Sequence, residues 1–161
     1  GEDYRTINPL GYVPALQLDS GDVITEGPAI MQFIADLAPA AGLLPAAGVA
    51  RYRAIGWLNF IATELHKTCS PLFSPTISEE QRKPIIERLS LRLDAIEHKL
   101  AAGGYLMGAN YCVADIYLFV VTGWFGRLQI PLKKWPHIDR FREVVATRPA
   151  VQAALEAEGL I

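Results

Sequence analysis

Residues 13–28 read VPALQLDSGDVITEGP, and this stretch decides the fold. Two short apolar runs, residues 13–18 and 22–25, flank an Asp-Ser-Gly tripeptide whose glycine supplies the positive φ of a tight turn. The pattern predicts a β-hairpin. A helix is expected to begin at the Glu-Gly-Pro that follows, where proline's missing N–H costs nothing, and to end at Ala38-Pro39. Its predicted apolar face consists of Ala29, Ile30, Phe33, Ile34 and Leu37.

The hairpin points to a larger sheet than the sequence itself supplies. A two-stranded hairpin is marginal in water and needs further strands or a packed helix. No other stretch of the chain predicts a strand, and the sequence starts at Gly1 rather than at Met. We therefore expect further strands to precede residue 1 in the natural protein.

The remainder of the chain predicts helices. Residues 40–48 are rich in small residues and predict a linker, and from residue 49 onward the apolar periodicity is helical. The second of these helices begins either at the capping box that opens at Ser78 or at Pro84. The third is almost wholly apolar, which indicates a central buried helix. The five predicted helices cover residues 49–72, 85–101, 113–126, 138–146 and 151–158.

Composition excludes several classes of protein. Of the 161 residues, 51% are hydrophobic and 20% are charged, which is a globular composition and not a disordered one. Fifteen basic and 17 acidic residues give a net charge of −2, so neither nucleic acid nor a membrane surface is an expected partner. The longest apolar run is interrupted by Asp115 and is too short to span a bilayer.

The two cysteines, Cys69 and Cys112, fit no metal-binding spacing, so no metal is expected. Two isolated thiols favour a reducing compartment. The sequence shows no positively charged N-terminal segment followed by an apolar stretch, so it contains no secretory signal. We therefore expect a cytoplasmic protein.

Four motifs resemble segments of the glutathione transferases. The third of them resembles the long-helix signature of the bacterial beta class, and together they extend over essentially the whole chain. The motifs are NPLGYVPAL at 8–16, TEGPAI at 25–30, LNFIATELHK at 58–67 and VADIYLF at 113–119.

The resemblance implies a partial thioredoxin-like β-β-α domain over residues 1–39, a linker over 40–48 and a five-helix domain over 49–161. It implies an enzyme that conjugates the glutathione thiolate to small electrophiles. The first β-α-β unit of the family, which carries its catalytic Cys, Ser or Tyr, is not in this sequence, so the resemblance places it before Gly1. A homodimer is also implied. Its candidate interface residues are Tyr52, Trp57, Phe60 and Met31.

Two other functions remain open from the same motifs. An isomerase, a dehalogenase or a disulfide reductase that uses glutathione on this fold would share nearly all of them. A non-catalytic domain of this fold, used for binding or association, would share them too. A Cys, Ser or Tyr in the preceding unit would separate an enzyme from such a module.

The hairpin and the helix start supply the predicted glutathione-binding residues. Proline within a strand removes a backbone donor from the sheet, so Pro14 is unusual at this position. Cis peptide bonds occur mainly before proline. The resemblance implies a cis Val13–Pro14 bond that lets Val13 pair with glutathione as an added strand. Backbone N–H groups at a helix start attract carboxylates. The resemblance therefore assigns the γ-glutamyl carboxylate to Gly27 and its ammonium to Glu26, although Glu26 alternatively only caps the helix.

The long helix supplies the predicted catalytic residue. Asn59, Thr63 and His66 are spaced by four and three residues, which predicts one polar stripe beside the apolar face of Ile55, Leu58, Ala62 and Leu65. A histidine titrates near neutral pH. The resemblance implies that His66 lies at the glutathione sulfur, where it stabilises the thiolate or relays its proton, with Asn59 close by. Lys67 either meets a glutathione carboxylate or is a free surface lysine. The alternative for His66 is a solvated surface histidine.

Aromatic residues of the helical part are candidates for an apolar co-substrate site. The resemblance favours Trp124 and Phe73, with Phe125 a weaker candidate, whereas aromatic side chains at helical spacing are otherwise ordinary core residues. Asp115 follows Cys112 by three residues, as in a capping box, and is therefore expected to be structural.

Overall fold

The computed structural model describes residues 3–161, so the first two residues of the predicted first domain lie outside it. Strands β1 (Ala15–Gln17) and β2 (Val23–Thr25) pair antiparallel, with Leu16 opposite Ile24. Helix α1 (Gly27–Leu37) follows directly. The predicted hairpin and helix are confirmed, although both strands are shorter than the apolar runs. The presence of further strands before residue 1 stays a prediction.

Helix α1 buries a narrower face than its sequence predicts. Ile30 and Ala35 are buried, whereas Ile34 and Leu37 are 52% and 69% exposed. The helix packs on the hairpin and on two helices of the helical part, and that contact stripe passes through Ile30 and Ala35. The predicted apolar face is therefore wrong at Ile34 and Leu37, which lie beside the contact stripe, and at Ala29, which is also exposed.

Helix α2 is built from three consecutive segments: an α-helical Gly48–Phe60, a π-helical turn over Ile61–His66 and a short α-helical Lys67–Cys69. In the π-helical turn the Lys67 N–H bonds to the carbonyl of Ala62, five residues back. The predicted helix over 49–72 is confirmed in extent, since a 3-10 turn continues it to residue 73.

The buried face of α2 differs from the prediction at two positions. Ile55 and Ala62, which the α-helical spacing placed on the buried face, are only half-buried, whereas the preceding residues Ala54 and Ile61 are fully buried. The prediction is wrong at these two positions, where the buried face lies one residue earlier. The residues of α2 that are fully buried are Ala54, Leu58, Ile61, Leu65 and Cys69.

Helix α3 begins at the first of its two predicted starts. The Gln81 N–H donates to Ser78 Oγ at 3.2 Å, and the Ser78 N–H donates to Gln81 Oε1 at 3.0 Å, which completes the capping box. Pro84 consequently lies inside the helix. The four remaining helices are α3 (Glu79–Gly103), α4 (Val113–Gly123), α5 (Pro136–Ala146) and α6 (Pro149–Ala157).

Helix α4 is the buried centre of the helical part, as its apolar sequence predicts. Ala114, Leu118 and Val121 are fully buried, and α4 contacts α1, α2 and α5. Its last helical residue is Gly123, three residues earlier than predicted. Among residues 3–161, five helices follow the linker, in agreement with the predicted number. None of the described helices is long and apolar enough to cross a bilayer.

The linker connects the two parts through specific contacts. The first N–H groups of a helix have no partner within it. In α4 the Val113 N–H donates instead to the Leu43 carbonyl at 2.9 Å. Arg51 of α2 donates two hydrogen bonds to Asp36 of α1, at 2.7 and 2.9 Å. The domain limits at residues 39 and 48 stay a prediction, and α2 begins at Gly48 itself.

Candidate functional site

The backbone before β1 is open to a ligand. The Val13–Pro14 bond is cis, as predicted. Val13 is 80% exposed, and among the described residues its N–H and C=O have no hydrogen-bond partner. Asn8, only 4% exposed, donates from Nδ2 to the Tyr12 carbonyl at 2.7 Å and so fixes the loop that leads to Val13. This role of Asn8 was not predicted from the sequence, although the Asn-Pro pair is a turn signal.

The start of α1 holds Glu26 in an unusual backbone conformation. Its φ of 70° and ψ of 118° cost a non-glycine residue about 1–3 kcal/mol, a cost that concentrates at functional sites. The Glu26 side chain is exposed and makes no capping hydrogen bond, so the alternative of a side-chain cap on α1 is wrong, while a favourable interaction with the helix dipole stays a prediction. The sequence contains no signal for this conformation.

Gly27 supplies the free backbone donor at the start of α1. Pro28 has no N–H, and among the described residues the Gly27 N–H has no recorded acceptor. A Cβ on Gly27 would lie 3.9 Å from Pro14 Cγ, which places the cis proline beside the helix start. The four predicted glutathione-binding residues of the first part therefore lie side by side, and we call them the ligand edge: Val13, Pro14, Glu26 and Gly27.

His66 lies at the centre of an aromatic group, which we call the His66 cluster: His66, Tyr117, Trp124 and Phe73. The His66 Nδ1 is 2.7 Å from the Tyr117 hydroxyl. The imidazole meets the Trp124 ring edge to face at a centroid distance of 4.7 Å, and Phe73 meets Trp124 at 5.5 Å. Three of the predicted residues are thus brought together, and Tyr117 is added to them.

Two other predicted residues do not join the cluster. Phe125 is fully buried, so it is a core residue and not a wall of an open co-substrate site, which corrects its assignment. Asn59 is exposed, and its carbonyl accepts a hydrogen bond from the Thr63 hydroxyl at 3.0 Å. None of the recorded side-chain contacts of His66 involves Asn59 or Thr63.

The single polar stripe predicted for α2 is therefore wrong. Thr63 and His66 lie within the π-helical turn, where the α-helical rule that residues three apart share a face does not apply. His66 consequently turns inward and is half-buried, whereas Thr63 stays exposed. Lys67 is also exposed, next to His66 in the chain.

Burial and nearby charge keep the two polar members of the cluster uncharged near neutral pH. Burial, and secondarily the charge of Lys67, lowers the pKa of His66. Burial, and secondarily the negative charge of Glu26, raises the pKa of Tyr117. Helix α1, which begins directly after Glu26, contacts α4, the helix that carries Tyr117, so the first part lies beside the helix of the His66 cluster.

Neither cysteine fits a nucleophile. Cys69 and Cys112 are free and buried, and burial raises the pKa of Cys69 to about 11 and that of Cys112 to about 12. Both thiols are protonated at neutral pH and therefore unreactive. Among residues 3–161, no group of three His, Cys, Asp or Glu side chains is placed to hold a metal ion.

Comparison with known proteins gives consistent matches. The family model for the C-terminal domain of glutathione S-transferases matches residues 60–149, and the N-terminal domain model matches residues 1–37. The chain is 44% identical to glutathione S-transferase GstA of Escherichia coli O157:H7, over 99% of this chain and 80% of the relative.

Two solved structures extend the similarity to the whole fold. A sphingomonad glutathione S-transferase complexed with glutathione is 44% identical, and a bacterial beta-class enzyme from Sphingomonas chungbukensis is 42% identical. Each superposes with a TM-score of 0.93 and covers 100% of this chain and 81% of the relative.

Proposed function

The chain belongs to the glutathione S-transferase family, and from this we propose that it joins the thiol of glutathione to small electrophiles as a bacterial beta-class enzyme. In a substitution, the thiolate sulfur forms a bond to carbon while the leaving group departs with its bonding electron pair. The protein must bind glutathione, favour its thiolate and hold the electrophile nearby. The observation that carries the proposal is the contact of α1, whose start presents Glu26 and Gly27, with α4, the helix that carries Tyr117, because it brings the first part to the His66 cluster.

The first part binds glutathione in this proposal. The unpaired N–H and C=O of Val13, presented by the cis bond to Pro14, pair with the peptide backbone of glutathione as an added strand. The Gly27 N–H donates to the γ-glutamyl carboxylate, and the Glu26 carboxylate binds the ammonium of the same group. Lys67 and Asn59 are both exposed on α2; in this proposal Lys67 binds a glutathione carboxylate, and Asn59 contacts glutathione near its sulfur.

The helical part supplies the chemistry. His66 donates a hydrogen bond to the glutathione sulfur, which favours the thiolate over the thiol. Trp124 and Phe73 form the apolar surface that receives the electrophile beside the sulfur. Because burial lowers the pKa of His66, the neutral imidazole is favoured, and it acts through one N–H.

Replacing Glu26 by glutamine is expected to abolish retention on immobilised glutathione. The change removes the charge opposite the ammonium and keeps the size of the side chain, so affinity should fall about 10–100-fold, as for a lost hydrogen bond to a charged group. Calorimetric titration with glutathione measures the loss. Glu156→Gln, an exposed glutamate on α6, is the matched control and should bind as the parent does. Unchanged binding by Glu26→Gln would contradict the assigned role.

Replacing His66 by alanine is expected to lower kcat about 10–100-fold for conjugation of glutathione to a chloronitrobenzene, because one hydrogen bond to the thiolate is lost. The KM for glutathione should change little, since Val13, Glu26 and Gly27 carry the binding. Steady-state kinetics of the full-length protein measure both constants. His98→Ala, an exposed histidine on α3, should leave them unchanged. Equal kinetics for His66→Ala and the parent would exclude His66 from catalysis.

We also propose a homodimer. Tyr52 is 73% exposed, and the half-buried Trp57 and Phe60 line an open groove of about 410 Å³ between α2 and α3. An exposed apolar groove of this kind fits a protein partner, and here the partner is a second copy. A cytoplasmic location is proposed as well, because both thiols are free.

A further inference from the structure

One hydrogen bond links α2 to α4 at the proposed site. The His66 Nδ1 and the Tyr117 hydroxyl lie 2.7 Å apart, although the two residues are 51 positions apart in the chain. His66 ends the π-helical turn of α2, and such turns are frequent at functional sites. Tyr117 lies on α4, the most buried helix, so its hydroxyl is held by a rigid element.

The direction of this hydrogen bond follows from the chemistry of both groups. A neutral imidazole has one N–H and one acceptor nitrogen, whereas a phenol has a single O–H to donate. Among the described residues, His66 Nδ1 is the only recorded partner of the Tyr117 hydroxyl. If the phenol accepted from Nδ1–H, its own O–H would have no protein acceptor in a half-buried position. Donation from Tyr117 to Nδ1 pairs the phenol O–H and the acceptor nitrogen, and among the described residues it leaves only the Nε2–H of His66 without a recorded partner.

We propose that Tyr117 is a positioning residue that donates its O–H to His66 Nδ1 and so keeps the imidazole proton on Nε2. His66 then offers a fixed, neutral N–H to the glutathione sulfur. The second statement rests on the function proposed above, whereas the first concerns the free protein alone. Tyr117 acts through His66 and is not required to touch glutathione.

The charges that face the pair favour the neutral imidazole. Lys67 neighbours His66 on α2, and its positive charge opposes protonation of the ring. Burial, and secondarily the negative charge of Glu26 at the start of α1, raises the pKa of Tyr117. Trp124 and Phe73, which complete the cluster, carry no charge. Protonating His66 would turn Nδ1 into a donor, and Tyr117 would then lose its acceptor.

Ring nitrogen NMR tests the tautomer in the protein without glutathione. In the parent we expect an unprotonated, hydrogen-bonded Nδ1 and a protonated Nε2 on His66. In Tyr117→Phe we expect both tautomers, and a pKa of His66 raised by about half a unit to one unit, as for the loss of one hydrogen bond to the neutral form. A proton on Nδ1 in the parent, or an unchanged tautomer in Tyr117→Phe, would overturn the proposal.

Kinetics then test whether Tyr117 acts through His66. In Tyr117→Phe, kcat should fall about 3–10-fold while the KM for glutathione is unchanged. The acid limb of the kcat–pH profile should move to higher pH, because a raised pKa of His66 leaves a larger fraction of the enzyme with a protonated imidazole at each acidic pH. In a His66→Ala background, the same change should have no further effect. Additive effects of the two changes would overturn the positioning role.

Two controls separate a failure of this proposal from a failure of the proposed function. Tyr105→Phe makes the same chemical change outside the cluster and should move neither the tautomer nor the pH profile. Far-ultraviolet circular dichroism shows whether Tyr117→Phe keeps its helices. If His66→Ala leaves turnover unchanged, the catalytic role of His66 fails, while the tautomer measured by NMR still supports or overturns the Tyr117 pairing.

Discussion

Replacing Asp115 by alanine is expected to lower the free energy of unfolding by about 4 kcal/mol, since two buried donors would each lose an acceptor at about 1–3 kcal/mol. Asp115 is fully buried on α4 and makes two hydrogen bonds of 2.9 Å. Its Oδ1 accepts from the Leu106 N–H and its Oδ2 accepts from the Cys112 N–H. Alanine reaches neither donor, and both stay buried with residues 106 and 112.

The effect should be on folding and not on glutathione chemistry. Urea unfolding followed by circular dichroism measures the loss. Asp139→Ala, an exposed aspartate in the first turn of α5, is the matched control and should cost less than about 1 kcal/mol. A loss for Asp115→Ala as small as that of the control would contradict the structural role. This role stays a prediction until that comparison is made.

Replacing Phe125 by alanine is expected to cost about 3–5 kcal/mol of unfolding free energy, the range measured for truncated core phenylalanines. The ring is fully buried within the main hydrophobic core. The backbone at this position is also fixed, because the Ile130 N–H donates to the Phe125 carbonyl at 2.8 Å. The surrounding chain therefore has little freedom to fill the cavity.

Phe73→Ala provides the contrasting variant. Phe73 is 40% exposed at the edge of the His66 cluster, so its truncation should cost about 1 kcal/mol or less by loss of a partly buried ring. In the proposed enzyme it should instead weaken the apparent affinity for an aromatic electrophile. Thermal unfolding and steady-state kinetics separate the two effects. Equal stability losses for Phe125→Ala and Phe73→Ala would contradict this distinction.

Local patterns predicted much of the fold. The turn tripeptide before Asp22 and the proline at position 28 predicted the hairpin and α1, because both act on the backbone within a few residues. The apolar run from Val113 predicted the buried helix. The overall class, a thioredoxin-like part followed by a helical domain, is confirmed by the family models.

Period-based predictions failed where one local geometry changed. The α-helical rule placed Asn59, Thr63 and His66 on one face, whereas in the structure Asn59 and Thr63 are exposed and His66, at the end of the π-helical turn, is half-buried. The π-helical turn cannot be recognised from its residue types, since each of them also occurs in an ordinary α-helix. The same limit applies to Glu26, whose positive φ is carried by a residue type that does not favour it.

The sequence by itself determined the order of elements, since turn and helix-start signals act on neighbours in the chain, and its resemblance to a known family implied the cis bond before Pro14. Only the tertiary structure decided which aromatic side chain is core and which is open, and it alone paired His66 with Tyr117 across 51 residues. The physical reason is that burial and hydrogen-bond partners depend on how α2 and α4 pack. That packing lowers the pKa of His66 by burial and places the Tyr117 hydroxyl at its Nδ1, and both bear on what this histidine is able to do.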